Sequence, residues 1–168
     1  MTPDGVGEVH DFMPVTGATA TARHRLVRNI RVVQGAMRFT IEIAPRFGYG
    51  RTPHRLELSE DGAVFRSDGI ELTVHGIGPE GPSLEEMGVS VQRDGDRLRW
   101  TRTLQADEIG GVMLESMGGQ PRRLPPEEAQ RLADEIARFW RDWLNRSTYT
   151  GRWREMVARS GSHRRAGR

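Results

Sequence analysis

The sequence contains no cysteine, which excludes disulfides and thiolate metal sites and is compatible with a reducing compartment. It also contains no lysine, so all 25 basic residues are arginine. This bias is typical of GC-rich codon usage and does not by itself indicate guanidinium chemistry. Because 23 acidic residues offset the arginines, the formal net charge is only +2. The charge therefore does not require an acidic partner such as nucleic acid.

Long apolar runs are absent as well. No stretch approaches the roughly 18 apolar residues of a transmembrane helix. Residues 1–8 have neither the basic start nor the apolar stretch of a signal peptide. We therefore expect a cytoplasmic protein with no membrane partner. The 168 residues, 36% of them hydrophobic, fit one domain with appendages.

Alternation of apolar and polar residues predicts short strands between Val9 and Met117. The clearest is residues 37–43, and residues 26–33 are its predicted partner across a hairpin at Gln34-Gly35. Asp-Gly pairs tolerate the positive φ of tight turns and predict turns at 61–62, 68–69 and 94–95. The further predicted strands are residues 55–59, 63–67, 70–75, 88–93, 97–103 and 111–117. Together they indicate a mainly β fold, an antiparallel β-sandwich over residues 1–120.

A helical pattern replaces this alternation after Pro121. The segment 125–128, Pro-Pro-Glu-Glu, places proline in the first turn and acids at the positive end of a helix dipole. A wide apolar stripe follows and predicts an amphipathic linker helix within residues 121–148. The stripe consists of Ala129, Leu132, Ala133, Ile136, Phe139, Trp140, Trp143 and Leu144. A short second helix is predicted within residues 149–160, and the basic tail 161–168 is predicted to be disordered.

The residue patterns that could indicate a chemical site have ordinary structural interpretations. The string from Gly76 to Gly81 matches G-x-G-x-x-G, but Pro79 and Pro82 leave no helix start for a phosphate, so we predict a turn. The five histidines have no spacing that aims two imidazoles at one metal. No carboxylate pair has the sheltered setting of glycosidase acids, and no G-x-S-x-G elbow is present. We therefore predict no catalytic residue, no cofactor and no metal site.

Arginine and aromatic residues are interleaved at 138–143, a composition that also occurs in nucleic-acid contacts. On a helix, however, Phe139, Trp140 and Trp143 share one face, and polar residues occupy the other. We therefore predict a buried amphipathic face and no nucleic-acid partner. The arginine-rich segment after Ser160 is the remaining alternative for nucleic acid.

Four stretches, taken in order, resemble bacterial family 15 glycoside hydrolases, the glucoamylase and trehalase-like group. They are V-H-D-F-M-P at residues 9–14, L-V-R at 26–28, P-R-F-G-Y-G-R at 45–51, and F-W-R-D-W-L at 139–144 with Y-T-G-R-W-R at 149–154. The resemblance covers about residues 9–160. It implies a β-sandwich joined by a linker helix to a toroid of paired α-helices, which hydrolyses α-glucosidic bonds with inversion.

Departures from the family pattern bear on function. The family's early sandwich segment, which resembles S-x-D-G-S-I-D-W, has no counterpart here, and the first toroid helix does not continue after Ser160. The resemblance therefore implies a fragment that lacks its first strands and ends before the catalytic toroid. Since the family's catalytic carboxylates lie in the toroid, neither is carried over onto this chain. Gly48 stands where the family commonly has Asp, which removes a possible turn cap or interdomain contact.

The resemblance also implies two surfaces that a toroid would bury, one on the turn near residue 48 and one on the helical segments. The interface candidates are Arg46, Phe47, Tyr49, Arg51, Trp140, Trp143 and Trp153. We expect a non-catalytic domain that braces a toroid supplied in cis or by a separate chain.

An alternative function follows from the aromatic residues, because exposed aromatic platforms bind sugars. On this interpretation the chain is a free-standing carbohydrate-binding or interaction module that binds a glucan or oligosaccharide through Tyr49 or Trp100.

Overall fold

A computed structural model describes residues 5–14, 24–82 and 84–146. Within these residues the chain forms eight strands and one long helix, which confirms the predicted mainly β fold. A one-turn 3₁₀ helix at Phe47–Gly50 follows the second strand. In chain order the elements are β1 (Gly5–Phe12), β2 (Arg25–Ile43), β3 (Arg55–Ser59), β4 (Gly62–Ser67), β5 (Ile70–Ile77), β6 (Ser90–Asp94), β7 (Arg97–Gln105), β8 (Ile109–Ser116) and α1 (Pro126–Asn145).

A single curled sheet connects these strands and is nearly closed. Its order is β3-β4-β5-β8-β2-β7-β6, with β1 also paired to β2, and every ladder is antiparallel. Short turns join β3, β4 and β5, and another joins β6 and β7. The pairs between β2 and β7 and between β2 and β8, by contrast, join distant parts of the chain, and these long-range ladders hold the sheet together.

The predicted hairpin at Gln34-Gly35 is wrong. Residues 26–33 and 37–43 belong to one strand, β2, which runs for 19 residues without reversing. Gly35 has a φ of 72° and interrupts the regular strand geometry. The two halves of β2 have separate partners, because Arg25–Arg31 pairs with β8 while Ala36–Ile43 pairs with β7. The Gln34-Gly35 pair, which locally predicts a turn, therefore marks a bend within β2. The ladders that decide the topology join strands that are far apart in the chain.

The bend in β2 brings its two halves over one core. Leu26 and Ile43 would be separated by roughly 55 Å in a straight strand, yet both line the same cavity of about 280 Å³. Ile30 from the first half and Ile41 from the second belong to the same buried cluster. The strand therefore passes from one layer of the fold to the other, and this produces the facing layers expected of a sandwich.

The turn predictions locate the hairpins to within one residue. Asp68 and Gly69 form the β4–β5 turn with φ values of 43° and 77°, as predicted. The other two loops are shifted by one position, to residues 60–61 and 95–96, because Gly62 and Asp94 pair within their ladders. The predicted strands at 55–59 through 111–117 coincide with β3–β8 to within two residues at each end.

Trp100 anchors the main core between the layers. It is 2% exposed and lies in phase with the buried residues Leu98 and Leu104 on β7. A methyl group at Gly76 would lie 2.6 Å from Trp100 Cη2, so the indole fills the space against β5 completely. The prediction of Trp100 as a sugar-binding platform is therefore wrong, because the ring is enclosed by the core.

A smaller core forms on the opposite face of the sheet. Val27, Ile77 and Met113 meet Leu124 and Ala129 there. The segment before the helix docks through its backbone, since Leu124 N–H donates to Gly76 O at 2.9 Å and Gly78 N–H donates to Leu124 O at 3.0 Å. The start of α1 is thereby fixed to the end of β5.

The predicted linker helix is present as α1. Only Ala129 and Ile136 among its residues are buried, while the rest of the apolar stripe is half-buried. The predicted second helix at 149–160, the tail at 161–168 and Trp153 lie outside the described residues.

Replacement of Trp100 by alanine should lower the free energy of unfolding by about 3–5 kcal/mol, because it leaves a large cavity in the main core. Tyr49→Ala, which removes a 95% exposed ring, is the control and should change the free energy by less than about 0.5 kcal/mol. Urea denaturation of both variants measures the difference. Equal effects of the two substitutions would contradict the enclosed position of Trp100.

Candidate functional site

The loop of residues 46–51 carries four of the predicted interface residues. Gly48, Tyr49 and Gly50 have consecutive φ values of 54°, 59° and 83°. A side chain at Gly48 would collide with the Thr52 hydroxyl, so this position fits glycine. Tyr49 adopts the left-handed conformation despite its side chain, at a cost on the order of 1 kcal/mol. The loop therefore holds Tyr49 outward at some energetic expense.

The other residues of the loop are engaged with the domain itself. Phe47 is half-buried against the core and its ring centroid lies 5.3 Å from that of His54. Arg46 Nη1 lies 2.7 Å from Asp96 Oδ2, and this hydrogen bond lowers the pKa of the Asp96 carboxyl. Arg51 Nε donates to Gly48 O at 3.2 Å. Tyr49 makes none of these contacts and its side chain is 95% exposed, and the interface role of the loop stays a prediction.

The second predicted surface lies on the C-terminal half of α1. The rings of Phe139 and Trp140 meet edge to face with centroids 5.3 Å apart, and those of Trp140 and Trp143 do so at 5.8 Å. All three side chains are half-buried, whereas Arg141 and Asp142 on the polar face are exposed. The predicted amphipathic arrangement is confirmed. Its role as an interface stays a prediction.

The loop and helix α1 border separate cavities, and neither Tyr49 nor the rings of Phe139, Trp140 and Trp143 line them. The cavity beside the loop, of about 330 Å³, is lined by residues 45–47, 50–54 and 96. The cavity beside α1, of about 630 Å³, is lined by Pro79, Arg102, residues 107–109 and one face of the helix. The two linings have no residue in common.

A buried polar cluster, which we did not predict, lies under the segment that precedes α1. It consists of Arg25, Thr73, His75 and Glu115, and in it His75 is 1% and Glu115 3% exposed. Arg25 Nε donates to Glu115 Oε1 at 2.6 Å. His75 Nδ1 accepts the backbone N–H of Arg122 at 3.0 Å, so the neutral ring carries its proton on Nε2. That nitrogen lies 3.3 Å from Glu115 Oε2 but is not aligned for a hydrogen bond.

The burial of this cluster favours a structural role. A histidine beside a carboxylate is a common acid–base arrangement, but here a methyl group at Gly118 would lie 3.0 Å from Glu115 Oε2, so backbone covers the pair. Neither side chain lines the cavity beside the loop or the one beside the helix. The histidine instead fastens the segment at Arg122 to the sheet.

The remaining motifs behave as ordinary structure. Gly76 and Ile77 end β5 and no helix follows them, in agreement with the turn predicted for the G-x-G-x-x-G string. Across the described parts of the chain, no three side chains of the metal-ligating types come together. The helix found there also lacks the apolar length that a bilayer crossing requires.

Neither a protein-family model nor a curated protein sequence matches this chain. The resemblance to family 15 glycoside hydrolases therefore depends on the four ordered motifs, and what it implies about function is a proposal.

The stability of the domain should decrease as the pH falls below about 6.5. Burial lowers the pKa of His75 below its ordinary value of 6.5, although the Glu115 carboxylate opposes this shift. His75 therefore binds a proton more readily in the unfolded chain than in the folded domain. The contribution of neutral His75 to the free energy of unfolding is complete above its pKa in the unfolded chain, and it is lost as the pH falls through its pKa in the folded domain. Urea denaturation between pH 7.5 and 5.5 measures the slope. His75→Gln should reduce it, and an identical slope in that variant would contradict the assignment.

Proposed function

We propose that this chain is a non-catalytic β domain that packs against a catalytic toroid of paired α-helices and braces it. The toroid is of the glucoamylase and trehalase-like type, and it is supplied in the same polypeptide or by a separate chain. The proposal places the domain in the cytoplasm, a reducing compartment with which a chain without cysteine is compatible. The four ordered motifs support the identity of the partner.

The observation that carries this proposal is the unequal burial of helix α1. Its first turn is fixed to the smaller core by Ala129, and Ile136 two turns further along is also buried. Beyond them Phe139 and Trp140 continue the same apolar stripe but are only half-buried. Phe139, Trp140 and Trp143 form an aromatic row along the helix. Such a row is typical of the centre of a protein interface, where aromatic side chains are enriched. A helical toroid could cover the row by packing of one helix against another.

The most deeply buried carboxylate gives no support to a catalytic role. Inverting glycosidases need two carboxyl groups about 6.5–9.5 Å apart on either side of a sugar. The deeply buried carboxylate here, Glu115, is paired with Arg25 under a covering segment. It is therefore held away from any substrate.

A second function is favoured by one observation, the outward position of Tyr49. Its ring is 95% exposed and is held there by a left-handed backbone. Strained, exposed residues are often functional, and an exposed aromatic ring can stack on a sugar. The alternative is thus a carbohydrate-binding module that acts through Tyr49 without Trp100.

Binding to an isolated family 15 toroid should depend on the aromatic row of α1. We expect the full chain to bind the toroid domain of a bacterial glucoamylase, measured by biolayer interferometry. Trp140→Ala should weaken this binding about tenfold or more, as truncation of a buried aromatic anchor does. Arg141→Ala, one position along on the polar face, is the matched control and should have little effect.

Three results would overturn the proposal. These are no binding of the toroid by the wild-type chain, equal losses for the two variants, and release of glucose from maltose, trehalose or isomaltose by the chain alone. Saturable binding of maltoheptaose that is lost in Tyr49→Ala, together with no toroid binding, would favour the second function.

A further inference from the structure

Strand β7 carries an arginine at a position that belongs to the core. Leu98, Trp100 and Leu104 alternate along one face of the strand and are all buried. Arg102 completes this row, so its side chain starts from the inner face of the sheet. A methyl group on Gly78 or on Gly110 would lie 3.6 or 3.3 Å from Arg102 Nη1. The guanidinium group therefore sits at the ends of β5 and β8, where glycines leave room for it.

Arg102 has few partners for a half-buried cation. Its Nη1 donates to Ile77 O across a long distance of 3.5 Å, and its Nε is buried with no acceptor. No carboxylate within the described ranges lies within 4 Å of it. Arg123 also has a buried Nε without an acceptor, but it pairs with Asp61 at 2.7 Å, and the half-buried Arg25 pairs with Glu115 at 2.6 Å. A buried guanidinium that has no counter-ion in the protein is unfavourable unless a bound anion pairs with it.

The surroundings of Arg102 strengthen this conclusion. Burial lowers its pKa below the usual range for arginine, Glu108 opposes that shift, and the nearby Arg123 adds to it. Arginine nevertheless remains charged in proteins. Glu108 attracts the guanidinium from a distance but makes no ion pair with it, and one of the Glu108 carboxylate oxygens accepts the backbone N–H of Gln105 at 2.8 Å.

Arg102 also lines the cleft beside α1. This cleft has a volume of about 630 Å³, which suits a small molecule. Ile109, Pro79 and Pro126 supply its apolar walls. Its ionisable residues are three arginines and four acids, a formal sum of −1, and they are Arg102, Arg131, Arg138, Asp107, Glu108, Glu127 and Asp134. This sum disfavours a dianion such as a phosphate more than a single negative charge, and a single charge placed at Arg102 leaves the hydroxyl donors of the same ligand to face the acids.

We propose that this cleft binds a small hydroxylated monocarboxylate, namely a sugar acid. Its carboxylate would accept hydrogen bonds from the Arg102 guanidinium, whose planar geometry matches a carboxylate. Its hydroxyl groups would donate to the acids on the helix side, such as Glu127 and Asp134. The site involves neither the aromatic row of α1 nor Tyr49, so it does not depend on the proposed bracing function.

Isothermal titration calorimetry of the full chain tests the site with D-glucuronate, D-glucose and glucose 6-phosphate at one salt concentration. We expect saturable binding of D-glucuronate, at least tenfold weaker binding of glucose 6-phosphate, and no measurable binding of glucose. Arg102→Met should weaken glucuronate binding about tenfold or more, because charge-assisted hydrogen bonds to the carboxylate are lost. Arg99→Met is the matched control, since Arg99 is exposed on the same strand and pairs with Asp94.

A second measurement on the ligand-free protein separates loss of binding from loss of folding. Because methionine replaces an unpaired buried cation by an apolar group, Arg102→Met should melt at the same temperature as the wild type or higher. The proposal fails if glucuronate does not bind, if glucose binds equally well, or if Arg99→Met loses binding to the same degree. It also fails if Arg102→Met melts well below the wild type without ligand, which would show that Arg102 already has its partner within the chain.

Discussion

The continuity of β2 is the constraint on which the rest of the structure depends. Its first half forms backbone ladders with β1 and β8, and its second half forms one with β7. Because the strand bends near Gly35, these ladders belong to facing layers that share one core. The order of the remaining strands follows from these ladders, since β5 attaches to β8 and β6 attaches to β7. Because β2 is one continuous strand, it fixes the position of one layer relative to the other.

The features near the helix follow from the same sheet. The outer faces of β5 and β8 hold His75 and Glu115, and the segment that covers them leads directly into α1. The end of β5 and the start of β8 also frame Arg102, which lines the cleft beside that helix. The proposed interface and the proposed ligand site are therefore on one element, α1, but on different faces of it.

Much of the fold could be predicted from sequence because its signals are local. Alternation identified β3–β8, Asp-Gly pairs identified their turns, and the apolar stripe identified α1. The hairpin at Gln34-Gly35 was mispredicted because a glycine bend and a glycine turn look alike when the pairing partners are far away in the chain. The sequence also could not show that Tyr49 is exposed and Trp100 buried, because only the packing of the fold decides which aromatic ring is enclosed. Arg102 was also missed from the sequence. Its signal was a charged residue that alternates in phase with three buried apolar residues of β7.

Hydrogen exchange along β2 tests the role of this strand most directly. If one continuous strand ties both layers together, the hydrogen-bonded amides of residues 26–32 and 36–43 should open with the same free energy, equal to that of global unfolding. Exchange measured by NMR under native conditions across low urea concentrations gives these values residue by residue. A distinctly lower opening free energy for one half would show that the halves belong to separate cooperative units, and would contradict this account.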